Sequence, residues 1–278
     1  MKKIIILTLL IVLNLSAFSL FSSNEEALKK VAYMQEMKNL IVSTQKTRGL
    51  TNSYMNGNTV AMLQVHAERK EMKRAFAKLE KLSAVDSNVL KLKNDLYKLN
   101  KKAFKKKAND VFSSYTKNID QMLLISKNFV DTNFKKSSEL TQQASTMMMS
   151  KILPFTENIG KIRGMGSGIV ARKHSTKDED KQMSSFVDSV EDLSQAEAPN
   201  MKILARHYPK LYSDDIGKDV DNIDSKVKKY MRLTRNSVIA SKNIELSANE
   251  YFTEGTSLIS QALVLFDANV EAIKKDLN

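Results

Sequence analysis

The sequence predicts an all-α fold of two packed antiparallel four-helix bundles, each with a long leading helix. The 278 residues include only eight Gly and three Pro, which leaves little room for the tight turns of a β fold. Apolar residues recur at helical spacing in eight segments, and the second four resemble the first four in length. A hydrophobic content of 42% with 27% charged residues is ordinary for a globular protein with a core.

The eight helices are predicted at about residues 25–55, 59–82, 87–107, 110–134, 138–173, 176–205, 214–241 and 247–277. Asn56-Gly57 is a good C-terminal stop for the first, and Thr176 with Glu179 makes a capping box for the sixth. Pro154 and Pro199 fall inside the fifth and sixth segments and are expected to kink or split them. We expect one rigid body with pseudo-repeat halves at about 24–135 and 136–278.

The N-terminus resembles an export signal. Two lysines precede an uncharged apolar run over residues 4–21, and Ala17 and Ser19 suit the small-x-small pattern before a cleavage point. Residues 1–19 are therefore predicted to be a signal peptide, leaving 20–278 as the mature domain. An uncleaved membrane anchor is the alternative, because the run approaches the minimum length that spans a bilayer. Either reading places the rest of the chain in the periplasm, free or anchored to the inner membrane.

Charge and composition exclude several functions. The formal net charge is +13, but an exported chain has no nucleic acid to bind, so we predict no such partner. The basic run at 101–107 is read as a solvated helix face or a contact with anionic lipid, and the overall field attracts small anions. The absence of Cys excludes zinc-finger, iron–sulfur and disulfide readings. The three His are far apart, and we predict no metal, no cofactor and no enzymatic activity.

A Lys-x-Arg-Gly motif occurs in both leading helices, at 46–49 and at 161–164. Each arginine lies on the apolar stripe of its helix. The first stripe comprises Met34, Met37, Ile41, Thr44, Arg48, Thr51 and Met55, and the second Ile152, Phe155, Ile159, Arg163, Gly166 and Val170. Inward guanidinium groups need partners, yet no residue three or four positions from either arginine is acidic.

These two arginines are predicted to form an anion-binding site, because a guanidinium can meet two oxygens of a planar oxyanion at once. Gly49, Thr51 and Gly164 are the neighbouring candidates on the same helices. In the alternative reading, each arginine pairs with a carboxylate of another helix, and the candidates are Glu80, Asp120, Asp188 and Glu191. Glycines spaced by four in the fifth segment also suit close helix packing, which is compatible with either reading.

Three segments resemble the nitrate- and nitrite-sensing (NIT) domain family: residues 45–51, 159–166 and 249–259. The resemblance implies two four-helix bundles that bind nitrate or nitrite through arginines between the long helices. By position, Arg48 and Arg163 become the ligand residues. Thr47 stands where some members have a further cation. Arg235, or less readily Arg232, is the expected replacement. With fewer cations, the ligand could be a small anion other than nitrate or nitrite.

Family members are commonly fused to an output module, and this chain ends about twenty residues after Thr256. We therefore expect it to signal through a membrane-bound partner protein, with a homodimer left open. The competing hypothesis is a helical structural or interaction protein of the cell envelope that no longer binds a ligand.

Overall fold

The computed structural model describes residues 2–82 and 86–277, with side chains from Asn24 onward. This part of the chain contains no strand, and the predicted all-α class is confirmed. Its helices are α1 (Lys2–Met55), α2 (Ala61–Leu82), α3 (Ser87–Lys102), α4 (Ala108–Asn133), α5 (Glu139–Thr146), α6 (Leu153–Arg172), α7 (Lys177–His207), α8 (Ile216–Ser237) and α9 (Ala248–Leu277). A short 3-10 turn at Ala103–Lys105 follows α3, and a π-helical segment at Met147–Ile152 joins α5 to α6.

The two internal prolines behave differently. Pro154 lies in the first turn of α6, directly after the π-helical segment. The missing N–H and the ring of a proline disturb the preceding turn, which accounts for the predicted interruption. Pro199 does not divide its helix, because α7 continues to His207. Since Pro199 is exposed, water can satisfy the carbonyl that loses its helical partner, so of the predicted kink or split the split does not occur.

The helices pack in two groups, one formed by α1 to α4 and the other by α6 to α9. The helix α1 packs against α2 and α4, and α3 packs against α4. In the second group α6 packs against α7 and α9, and α8 packs against the same two helices. The two leading helices, α1 and α6, contact each other at the centre, and one large apolar cluster includes residues of both groups. The central crossing of α1 and α6 therefore belongs to both groups. The boundary between pseudo-repeat halves stays a prediction.

The inward stripes are confirmed. Met34, Met37 and Ile41 are fully buried on α1, and Arg48 and Arg163 are each 0% exposed. Both guanidinium groups therefore lie in the interior, where an unpaired charge is costly.

The predicted signal peptide or anchor at residues 1–19 lies outside the residues whose side chains the structure describes. Among the helical residues whose side chains the structure describes, from Asn24 onward, no segment is long and apolar enough to cross a membrane.

Candidate functional site

The glycines of the repeated motif form the contact between α1 and α6. A Cβ atom added to Gly49 would lie 3.1 Å from the Cα of Gly164 and 2.7 Å from the ring of Phe252. A Cβ atom on Gly164 would lie 2.9 Å from the ring of Phe112. The side-chain amide of Asn52 donates across the crossing to the Gly164 carbonyl at 2.9 Å. Glycine is thus required at both positions because the two backbones approach each other closely.

Arg48 lies between α1, α4 and α6 and is paired at both terminal nitrogens, while its Nε atom has no hydrogen-bond partner. Its Nη1 and Nη2 atoms donate to the two carboxylate oxygens of Glu157, at 2.6 and 3.1 Å. Nη1 also donates to the Thr116 hydroxyl at 2.9 Å. The guanidinium lies over the ring of Phe112, 4.9 Å from its centroid. Arg48 therefore pairs with a carboxylate of another helix, as in the alternative interpretation, but the acid is Glu157 and none of the four that the sequence suggested.

Arg163 lies between α6, α9 and α1 in similar surroundings, with one difference. Its Nη1 donates to the Thr256 hydroxyl at 2.9 Å, and its guanidinium lies over Phe252, 4.6 Å from the ring centroid. No carboxylate of the described residues forms an ion pair with Arg163, and its buried Nε and Nη2 atoms have no hydrogen-bond partner. Arg163 is thus a buried cation with two free donors.

The surroundings of Arg163 depress its pKa. Burial is the main cause, and the nearby positive charge of Arg48 acts in the same direction. Tyr230 and Glu157 oppose the shift, and the pKa falls to about 10. The group stays protonated at neutral pH, so the interior holds a full positive charge that a bound anion would stabilise.

A repeated arrangement relates the two arginines. Each lies over a phenylalanine, and each donates to the threonine four residues further along the same helix. Glu157 breaks the repeat. It precedes Arg163 by six residues, and the corresponding position before Arg48 is Val42. The asymmetry between the two arginines therefore comes from a single acid on α6.

Comparison with known proteins identifies the family. A family model described as nitrate and nitrite sensing, NIT, matches residues 39–264. The chain belongs to the NIT family. Its structure is similar to that of the NasR transcription antiterminator, with a TM-score of 0.68 over 96% of this chain and 74% of that chain. The sequence identity is 12%, so this likeness shows the fold alone. No curated protein matches the sequence.

Two further polar residues of α1 are buried near the crossing of this NIT domain. Gln45 lies against Gly160, whose added Cβ would be 3.4 Å from the Gln45 side chain and 3.2 Å from the Nη2 atom of Arg48. Both amide atoms of Gln45 lack hydrogen-bond partners, and so does the hydroxyl of Thr51. Gln45 was not singled out in the sequence, because a buried amide has no signature of its own.

Arg235 is not brought to this cluster. It is 40% exposed on α8 and forms ion pairs with Asp188 and Glu191 of α7. Arg232 is exposed on the same helix. Asp188 and Glu191, two of the four acids considered as partners for the central arginines, are thus engaged at the surface. Glu80 pairs with Lys93, and Asp120 lies near Lys161. Among the described residues, no group of three or more His, Asp and Glu is placed to hold a metal ion.

Glu157 is the residue that sequence reasoning missed. It pairs with an arginine 109 positions away, so a search three or four residues along one helix could not find it. A signal was nevertheless present. Glu157 precedes Gly160 by three and Gly164 by seven, which places it on the glycine face that packs against α1.

Proposed function

We propose that this NIT domain binds a small planar oxyanion, nitrate or nitrite, through Arg163 at the crossing of α1, α6 and α9. The observation that carries the proposal is the unpaired edge of that guanidinium. Family membership supports the ligand class, and the burial of Arg163 supports its role.

The two unpaired donors of Arg163 form one side of the guanidinium. Nε–H and Nη2–H point in parallel, and this edge can donate to two oxygens of a carboxylate, nitrate or nitrite at once. The third nitrogen, Nη1, is held by Thr256, which fixes the plane of the group together with the ring of Phe252. The free edge is thus held in one orientation.

Electrostatics favour an anion at this edge. A buried cation without a partner is costly, and an anion that binds it removes that cost. Arg48 lowers the pKa of Arg163, but the negative charge of Glu157 opposes that effect, so the charge available to an anion is that of Arg163 itself. In this proposal Arg163 is the direct ligand residue, and Arg48 lines the crossing as the paired partner of Glu157. Gly49 and Gly164 allow the close approach of the two helices. Thr51 stays a candidate contact.

The proposed setting is the periplasm, with a membrane-bound partner protein that receives the signal. The apolar run at 4–21 and the lysines before it support export. A shift in the packing of α1 against α6 is the proposed signal, because the ligand would lie beside their crossing.

Isothermal titration calorimetry of the purified full-length chain tests the proposal with nitrate, nitrite, chloride and sulfate. We expect heat with nitrate or nitrite, and its loss in Arg163→Met. Arg235→Met is the matched control, an arginine already paired at the surface, and should bind as the wild type does. No heat with nitrate or nitrite at millimolar concentration would refute the proposal and favour the structural alternative. Wild-type affinity in Arg163→Met would remove Arg163 from the site.

A further inference from the structure

We propose that Glu157 determines the charge selectivity of this site: it neutralises Arg48 permanently and leaves one positive charge, that of Arg163, for one monovalent anion. This inference rests on the proposed function, because it concerns the selectivity of the same anion site. Glu157 is a specificity-determining residue in this view, acting through the arginine that it occupies.

The pairing of Glu157 with Arg48 is closed to an incoming ligand. Both carboxylate oxygens accept from the guanidinium, at 2.6 and 3.1 Å, and the Glu157 side chain is only 2% exposed. An anion that took Arg48 would leave this carboxylate buried without its partner, which is strongly unfavourable. Lys161 is the other cation near Glu157, at a longer 3.9 Å. Arg48 is therefore unavailable while Glu157 is charged.

The three charged side chains that are buried at the crossing sum to one positive charge. Arg48 and Arg163 contribute two positive charges and Glu157 one negative, which leaves a net +1. The flanking ion pairs add nothing to the sum, because Lys46 with Glu68 and Lys161 with Asp120 are each neutral overall. A monovalent anion would bring the interior to zero. A divalent anion would leave an uncompensated negative charge in the interior, which is costly.

The repeat indicates what the site would be without Glu157. The corresponding position on α1 is Val42, and the arginine it would face has no carboxylate. The mutual packing of Gly49 and Gly164 places the two helices in equivalent positions about the crossing. An acid at position 42 should therefore act on Arg163 as Glu157 acts on Arg48.

Two substitutions in the full-length chain test the inference, with nitrate and sulfate titrated by calorimetry. In Glu157→Gln the local charge becomes +2, so nitrate affinity should rise by at least about tenfold, since unit charges a few ångströms apart interact strongly in a protein. Sulfate, which the wild type should exclude, should then bind. In Val42→Glu a competing acid reaches Arg163, and nitrate affinity should fall by at least about tenfold.

Glu179→Gln is the matched control, because Glu179 is a buried acid paired with Arg172 away from the crossing. It should leave anion affinity and selectivity unchanged. Absence of nitrate and nitrite binding by the wild type would refute the proposed function itself. Binding by the wild type, with unchanged nitrate affinity and continued exclusion of sulfate in Glu157→Gln, would overturn the selectivity inference alone. If Glu157→Gln loses its helical circular dichroism, the test rests on Val42→Glu. A folded Val42→Glu variant that binds nitrate with wild-type affinity would overturn the inference.

Discussion

The two leading helices, α1 and α6, each bury an arginine, but the surroundings of the two arginines differ. Arg48 and Arg163 each lie beside a glycine and over a phenylalanine, and each donates to a threonine. Only Arg48 meets a carboxylate. The repeated residues thus position both guanidinium groups, and one additional acid on α6 decides which of the two is structural.

This difference has an energetic meaning. A buried arginine that is paired at both terminal nitrogens belongs to the folded structure, and removing it leaves a buried carboxylate alone. A buried arginine with a free edge destabilises the unliganded protein and gives binding energy to an anion. Under the proposed function, an arginine therefore contributes to stability at position 48 and binds the anion at position 163.

The largest expected effect comes from Arg48→Met. The substitution leaves Glu157 buried without its cation, and the free energy of unfolding should fall by about 3–5 kcal/mol. Urea denaturation followed by circular dichroism measures the change. The double variant Arg48→Met/Glu157→Leu removes both charges and should recover most of the loss. A loss below about 1 kcal/mol in the single variant would contradict a structural role for the pair.

Gly164→Ala should give the next largest effect. Its Cβ would lie 2.9 Å from the Phe112 ring and 3.1 Å from the Cα of Gly49, and backbone cannot yield as a side chain can. We expect a destabilisation of about 1–3 kcal/mol in thermal or urea unfolding. Gly217→Ala is the matched control, since nothing lies within 4 Å of its added Cβ. That variant should be neutral or stabilised by up to about 1 kcal/mol, and equal effects at both sites would argue against a close crossing.

Arg163→Met should behave in the opposite sense to Arg48→Met. It removes an unpaired buried charge, so the free energy of unfolding in anion-free buffer should be unchanged or raised by up to about 2 kcal/mol. The stabilisation that nitrate gives the wild type, about 2.7 kcal/mol at a concentration of 100 times the Kd, should disappear. Thermal unfolding with and without nitrate measures both quantities. A loss of stability as large as that in Arg48→Met would mean that Arg163 has a partner of comparable strength.

Local sequence signals predicted much of this fold. The capping box at Thr176 and Glu179 is present, and α1 ends at Met55, just before Asn56-Gly57. Helical periodicity also placed both arginines in the interior. These features depend on residues within one or two turns of each other, where short spacings determine the structure. Pro154 predicted an interruption of the fifth segment, but the proline alone did not predict that the interruption takes a π-helical form at 147–152.

Of the candidate site, the sequence predicted the two arginines but not the acid, because the acid comes from a helix distant in sequence. The repeat at 46–49 and 161–164 identified both arginines, but the local absence of acids said nothing about α6 supplying Glu157 to α1. The family resemblance suggested Arg235, which the structure places at the surface with two acids. Contacts between helices distant in sequence follow from packing geometry, and helical spacing alone does not encode that geometry.

The smallest expected effects distinguish the two threonines. Thr256→Val removes the one hydrogen-bond partner of Arg163 among the described residues, and we expect a loss of about 1–2 kcal/mol in urea unfolding. Thr116→Val leaves Arg48 held by both oxygens of Glu157, so its loss should stay below about 1 kcal/mol. The replacements are isosteric, and both threonines also donate to the carbonyl of the preceding phenylalanine. Their difference therefore isolates the arginine contact. A larger loss in Thr116→Val than in Thr256→Val would show that Glu157 does not hold Arg48 independently of Thr116. The proposed difference between Arg48 and Arg163 would then be contradicted at Arg48.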